Sequence, residues 1–157
     1  MIAVYGLDKD RKAMVKSICD YTIQLLMPRM KNKLNIKFKF IDDLVSSDGV
    51  YGDCEWLGET CRRPRNFFIR IDSSQENQLM LETVAHELVH VKQYARGEMK
   101  ELVRSSKYTR WKGKDINHRK LNYYDQPWEI EAHGRETGIF IRWLSESKWK
   151  KCKWCKY

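Results

Sequence analysis

The chain has 157 residues, 42% of them hydrophobic and 32% charged, which suits one globular domain with a modest core rather than a disordered or membrane protein. No apolar run approaches the roughly 18 residues of a membrane span, and "MIAVYGLDKDRK" lacks the features of a secretory signal, so we expect a cytoplasmic protein without membrane contact. The net charge of +9 is concentrated after residue 96, where 15 Lys/Arg face 8 Asp/Glu, against 15 and 13 before it; the C-terminal half would therefore draw acidic partners or nucleic acid.

In chain order, "DKDRKAMVKSICDYTIQLLMP" reads as a helix. Met14, Val15, Ile18, Leu25 and Leu26, with Thr22 between them, follow 3- and 4-residue spacing, and Pro28 stops it. "LNIKFKFI" alternates as a strand with Leu34, Ile36, Phe38 and Phe40 on one face, and "NFFIRID" repeats this with Phe67, Ile69 and Ile71. "VYGDCEWLGETC" between them is ambiguous, a short strand and turn built on Gly52 and Gly58. Asp72, Ser73 and Ser74 are expected to cap a helix running from about Gln75 to Ala95 and ending near Gly97. Residues 98–124 show little periodicity and read as one long loop, of a length that is usually functional. Asp125 and Pro127 open a second helix, "PWEIEAHGRETGIFIRWLSES". The expected fold is one α+β domain over residues 1–147, a small, mostly antiparallel sheet with a backing helix, followed by a basic Cys/Trp/Lys tail over 148–157.

The first of the two later helices carries "AHELVH". His86 and His90 are four residues apart, so on a helix both imidazoles point the same way, at a separation that suits two ligands of one zinc ion. Glu87 lies beside them, placed to take a proton from a water in the open coordination position and pass it to a leaving amine. H-E-x-x-H on a helix is the pattern of a zinc peptidase. Solvated or hydrogen-bonded histidines would explain the pair without metal, but the uncharged Ala85, Leu88, Val89 and Val91 around them suit a helix buried under a cleft.

A catalytic zinc wants three protein ligands. Positions 93 and 96 hold Gln and Arg, which excludes the metzincin continuation H-x-x-G-x-x-H. His118 and His133 are available, but the second helix offers a better candidate. On a wheel, Glu129, Ala132, His133, Glu136, Phe140 and Trp143 share one face, while Glu131, Arg135, Gly138 and Arg142 share a polar face meant for solvent. Glu129 is thus an inward carboxylate that needs a partner. Glu131 is the second choice, and Glu136 or His133 the third.

"TVAHELVHVK" followed by "EIEAH" resembles the gluzincins, zinc peptidases with H-E-x-x-H and a glutamate ligand on a later helix. The likeness is to minimal single-domain forms such as the ImmA/IrrE type, of a kind often encoded by phages, and it covers residues 66–96 and 123–143. It makes Glu129 the ligand and Ala132 the small residue of E-x-x-A; His133 stands where Asn or Asp is usual, and Lys92 where an apolar residue is common. The resemblance implies a zincin-like fold in which "NFFIRID" is an exposed edge that pairs with an extended peptide substrate. It also implies a group that stabilises the oxyanion, for which Tyr123, Tyr124 and His133 stand as alternatives.

Five cysteines leave at least one thiol unpaired, which fits a reducing compartment. Cys19 reads as core. Cys152 and Cys155 form "CKWC" and, with Cys54 and Cys61, allow a second, structural zinc. SprT-like proteases, which combine H-E-x-x-H with C-terminal zinc- or DNA-binding parts, are a more distant likeness. The expected activity is metalloendopeptidase hydrolysis of a protein or peptide substrate, with zinc on His86, His90 and Glu129 and with Glu87 as the base. The alternative is a basic nucleic-acid-associated protein whose zinc site is structural or vestigial.

Overall fold

A computed structural model of the chain describes residues 1–58, 62–102 and 106–151. The order is β1 (Ile2–Tyr5), α1 (Lys9–Leu26), β2 (Asn35–Ile41), α2 (Leu44–Asp48), β3 (Gly52–Trp56), β4 (Asn66–Asp72), α3 (Asn77–Arg96), β5 (Met99–Glu101), β6 (Tyr108–Trp111), β7 (Lys114–Asn117) and α4 (Pro127–Glu146). Short 3₁₀ turns cover Pro28–Lys33, His118–Lys120 and Tyr123–Asp125. The fold is α+β, and among the described residues no helix is long and apolar enough to cross a membrane.

The main sheet has the order β1-β2-β4-β3. It is not mostly antiparallel: β1 with β2 and β2 with β4 are parallel, and only β3 with β4 runs antiparallel. The difference begins at β1, whose four residues are too few to show a period. Once β1 is a strand, α1 becomes the crossover that a parallel neighbour requires. Helix α1 starts at Asp8, whose carboxylate accepts from the amides of Asp10 and Arg11, both at 2.9 Å. Its inner face is Met14, Val15, Ile18, Cys19, Thr22 and Ile23, whereas Leu25, expected inside, is exposed.

In β2 and β4 the alternation holds. Ile36, Phe38, Phe67, Ile69 and Ile71 are fully buried, while Lys37 and Lys39 face solvent. The "NFFIRID" strand is not an edge, because β4 has β2 on one side and β3 on the other. The edges are β1 and β3, and β3 is the ambiguous stretch, whose half-buried residues give no clean two-residue period.

Asp72, Ser73 and Ser74 do not cap α3, which starts at Asn77 after Glu76 without a side-chain cap. Asp72 instead accepts from the amides of Val45 and Ser74, both at 2.8 Å, tying α2 to the end of β4. Arg11 of α1 straps the segment before α3, donating to Ser73 O, Gln75 O and Asn77 Oδ1 at 3.0, 2.9 and 2.9 Å. Helix α3 lies between α1 and α4, and Val84 to Gln93 are buried without interruption. It ends on Gly97 in the left-handed conformation, as expected.

Residues 98–124 are not one irregular loop. Strands β5, β6 and β7 form an antiparallel sheet, and β6 turns into β7 through Lys112 and Gly113, both with positive φ, 46° and 88°. Two consecutive left-handed residues make the tight hairpin turn whose twist suits its flanking strands.

Candidate metal centre

His86 and His90 occupy successive turns of α3, and Glu129 lies in the first turn of α4; all three are buried. Their ligand atoms converge. His86 Nε2 and His90 Nε2 are 3.1 Å apart, and Glu129 Oε2 lies 3.3 and 3.4 Å from them. A tetrahedral ion with bonds of roughly 2.0–2.1 Å has ligand–ligand edges of about 3.3–3.4 Å, so one ion fits this triangle. Two imidazoles and one carboxylate are also the donor types that zinc takes with a fourth position open.

The outer nitrogens are satisfied by acceptors. Nδ1–H of His86 donates to Glu136 Oε2 at 2.7 Å, and Nδ1–H of His90 donates to Gln93 Oε1 at 2.8 Å. Each contact leaves an Nε2 lone pair aimed at the common point. Burial lowers the His86 pKa, but Glu129 and Glu136 outweigh it and push the value up to about 10. Burial would raise Glu129, yet the adjoining imidazoles of His86 and His90 and the Tyr123 hydroxyl hold it well below the ordinary carboxylate range. The triangle thus attracts positive charge, from protons or from a cation.

Glu87 is buried and outside the converging group, beside it in the floor of the cleft. Burial raises its pKa, against the pull of His90 and His86, which brings a carboxylate toward the range useful for a base. Two cavities flank the site. One of about 660 Å³ on the His90 side has Cys54, Trp56, Tyr94, Met99, Tyr108 and Trp128 in its walls. The other, about 420 Å³ on the His86 side, includes Glu82, Tyr124, His133 and Glu136. Val50, Gly52, Glu87 and Tyr123 line both. Among the described residues no Lys or Arg lines either cavity.

The other sequence candidates divide. Tyr123 donates its hydroxyl to Glu129 Oε2 at 2.7 Å, at the site itself. Tyr124 is 68% exposed and packs its ring against His133. His133 reaches Glu136 Oε1 at 3.3 Å and forms, with His86 and Glu136, a second group of converging ligand atoms, but it is not part of the first. His118 is held to Thr109 Oγ1 at 3.1 Å in the larger cavity, away from the ligand triangle. Glu131 does not face solvent: its carboxylate is taken up by Lys92, Gln93 and Arg135. Cys19 is core, and Cys54 lines the larger cavity. Cys61, Cys152 and Cys155, and with them the second zinc site, lie outside the described residues.

Sequence reasoning missed the parts played by Gln93 and Gly52. Gln93 follows His90 by three residues, a helical neighbour that the spacing alone marks as within reach. Gly52 gives no such sign, because its importance depends on which strand passes over α3. The chain significantly matches no protein-family model, no curated protein and no solved structure.

Proposed function

We propose that the protein is a zinc-dependent peptidase of gluzincin type with a zincin-like fold. The observation that carries the reading is the meeting of His86 Nε2, His90 Nε2 and Glu129 Oε2 within 3.4 Å, with the buried Glu87 next to them at the floor of a cleft. Zinc supplies a Lewis acid that brings the pKa of water to about 7 and polarises a carbonyl oxygen. Glu87 takes the proton of the attacking water and returns it to the leaving amine. Tyr123, a hydrogen bond away from Glu129, is the donor best situated for the developing oxyanion. The exposed edge of β3 pairs with an extended peptide main chain, in the role that the sequence reading gave to "NFFIRID".

The lining of the cleft favours a peptide over a nucleic acid. Asp53, Glu82, Glu87, Glu101 and Glu136 stand along the two cavities with no Lys or Arg among the described lining, so a phosphate backbone would meet repulsion there. The first test is zinc content per chain in the wild type and in His86→Ala/His90→Ala, followed by peptide hydrolysis. One zinc lost with the histidines, together with hydrolysis that depends on them, supports the reading; zinc unchanged by the double substitution overturns it.

A further inference from the structure

We propose that Gln93 is the positioning residue of His90, and that Glu131, paired with the buried Lys92, sets which end of the Gln93 amide faces the imidazole. The inference rests on the metal-site reading above, and concerns how a ligand is kept in its binding form. Gln93 is fully buried, and each end of its amide has a distinct partner. Nε2 donates to Trp128 O at 2.9 Å and to Glu131 Oε2 at 3.2 Å, which leaves Oε1 to accept from His90 Nδ1 at 2.8 Å.

The opposite amide orientation would be costly on both sides. It would set Oε1 against a carbonyl and a carboxylate, three acceptors with no proton between them. It would also turn the NH₂ toward His90 Nδ1, requiring a lone pair there and moving the proton to Nε2. That nitrogen is the one 3.1 Å from His86 Nε2 and 3.4 Å from Glu129 Oε2, where a ligand must be bare.

Lys92 is one of two residues that depart from the gluzincin-like pattern, with His133, and this arrangement gives it a purpose. Its ammonium is buried and lies 2.8 Å from Glu131 Oε1 and 2.6 Å from Glu98 Oε2, while Arg135 reaches Glu131 Oε1 at 3.2 Å. Two cations on one oxygen keep Glu131 an acceptor, so its other oxygen receives the Gln93 N–H. An apolar residue at position 92 would leave Glu131 without its buried partner. The path therefore runs from Lys92 through Glu131 and Gln93 to the ligand, joining α3 to α4 behind the metal triangle.

The test combines zinc affinity, by chelator competition with the His86→Ala/His90→Ala background subtracted, with NMR of the His90 Nδ1–H and the Gln93 side-chain amide, zinc-free and zinc-loaded. Gln93→Leu should weaken zinc about 10–100-fold and expose the Nδ1–H to exchange. Glu131→Gln keeps the volume and should expose the Gln93 amide protons with a smaller loss of affinity. The exchange in Gln93→Glu/Glu131→Gln gives up the bond to Trp128 O but restores an acceptor for His90, and should bring back the protected Nδ1–H, with zinc affinity above that of Gln93→Leu. A protected Nδ1–H in Gln93→Leu overturns the proposal. So does a double variant as weak and as exposed as Gln93→Leu, which would make the effect one of packing, and wild-type behaviour of Glu131→Gln removes the part assigned to Glu131. Absence of zinc from the wild-type histidine pair would defeat the peptidase reading, while the Nδ1–H and amide signals of the zinc-free protein still decide the orientation of Gln93.

Discussion

Glu87 and Glu129 are both buried carboxylates at one site, and their surroundings push them in opposite directions. Burial raises Glu87, whereas Glu129 is held low by the imidazoles of His86 and His90 and the hydroxyl of Tyr123. Such a split separates a proton acceptor from a permanent anion. Glu87→Gln should therefore retain zinc and lose peptide hydrolysis by about 10²–10⁴-fold, read from zinc content and turnover on one preparation; hydrolysis at the wild-type rate would remove Glu87 as the base. Glu129→Ala should weaken zinc far more than Glu131→Ala in a chelator competition, and equal losses would mean that the wrong carboxylate has been named. The helical wheel could pick out Glu129 because ligand geometry demands an inward acid on the face that holds Ala132 and Phe140. It misplaced Glu131 because a wheel treats the flank of a helix as solvent, and here that flank meets Lys92 of another helix.

Strand β3 passes over α3 at close range. A Cβ built on Gly52 would stand 2.8 Å from Thr83 Cγ2 and 3.1 Å from Glu87 Oε1, so the glycine leaves room for the carboxylate to lie under the edge strand. Gly52→Ala should lower hydrolysis while zinc content stays near one per chain, and should cost about 1–3 kcal/mol in a denaturant titration. Wild-type turnover in this variant would show that Glu87 tolerates displacement. Asp72 offers a test at the far end of β4. Burial pushes its carboxyl up, but donors from Ser74 and Val45 prevail and hold it below the ordinary carboxylate value. Its contribution is therefore complete above about pH 4 and lost as pH falls through the lower folded value. Asp72→Ala should cost about 1–3 kcal/mol at neutral pH and make stability less sensitive to acid, measured by denaturant unfolding between pH 3 and 7.

These elements also show where the sequence is legible. Helices α3 and α4 carry twenty residues each, long enough for a 3.6-residue period to stand out, and both segments of the His/Glu cluster lie on them. Strands of three or four residues, β1 and β5 to β7, have no room for a period and were invisible. Only Lys112–Gly113 carried a local hint of the hairpin. The identity of the edge strand escaped because strand order is a property of pairing, and both β3 and β4 can be written as strands without saying which lies outside.

Across the whole molecule, acidic groups line the cleft while the chain carries a net charge of +9. If the basic residues after position 96 recruit nucleic acid, binding should weaken steeply with added salt and be unchanged in Glu87→Gln. Binding that ignores salt would argue against recruitment by charge. The three candidate ligands also come from helices that the β5–β7 sheet separates along the chain, so the triangle exists only when α3 and α4 are docked. An ion seated there binds the folded chain and not the unfolded one, and its occupancy becomes part of the folding equilibrium. At a free concentration 100 times its dissociation constant it would contribute about 2.7 kcal/mol. The population of folded chain would then follow the supply of that ion in its surroundings, and scarcity would loosen the protein's architecture as well as empty its site.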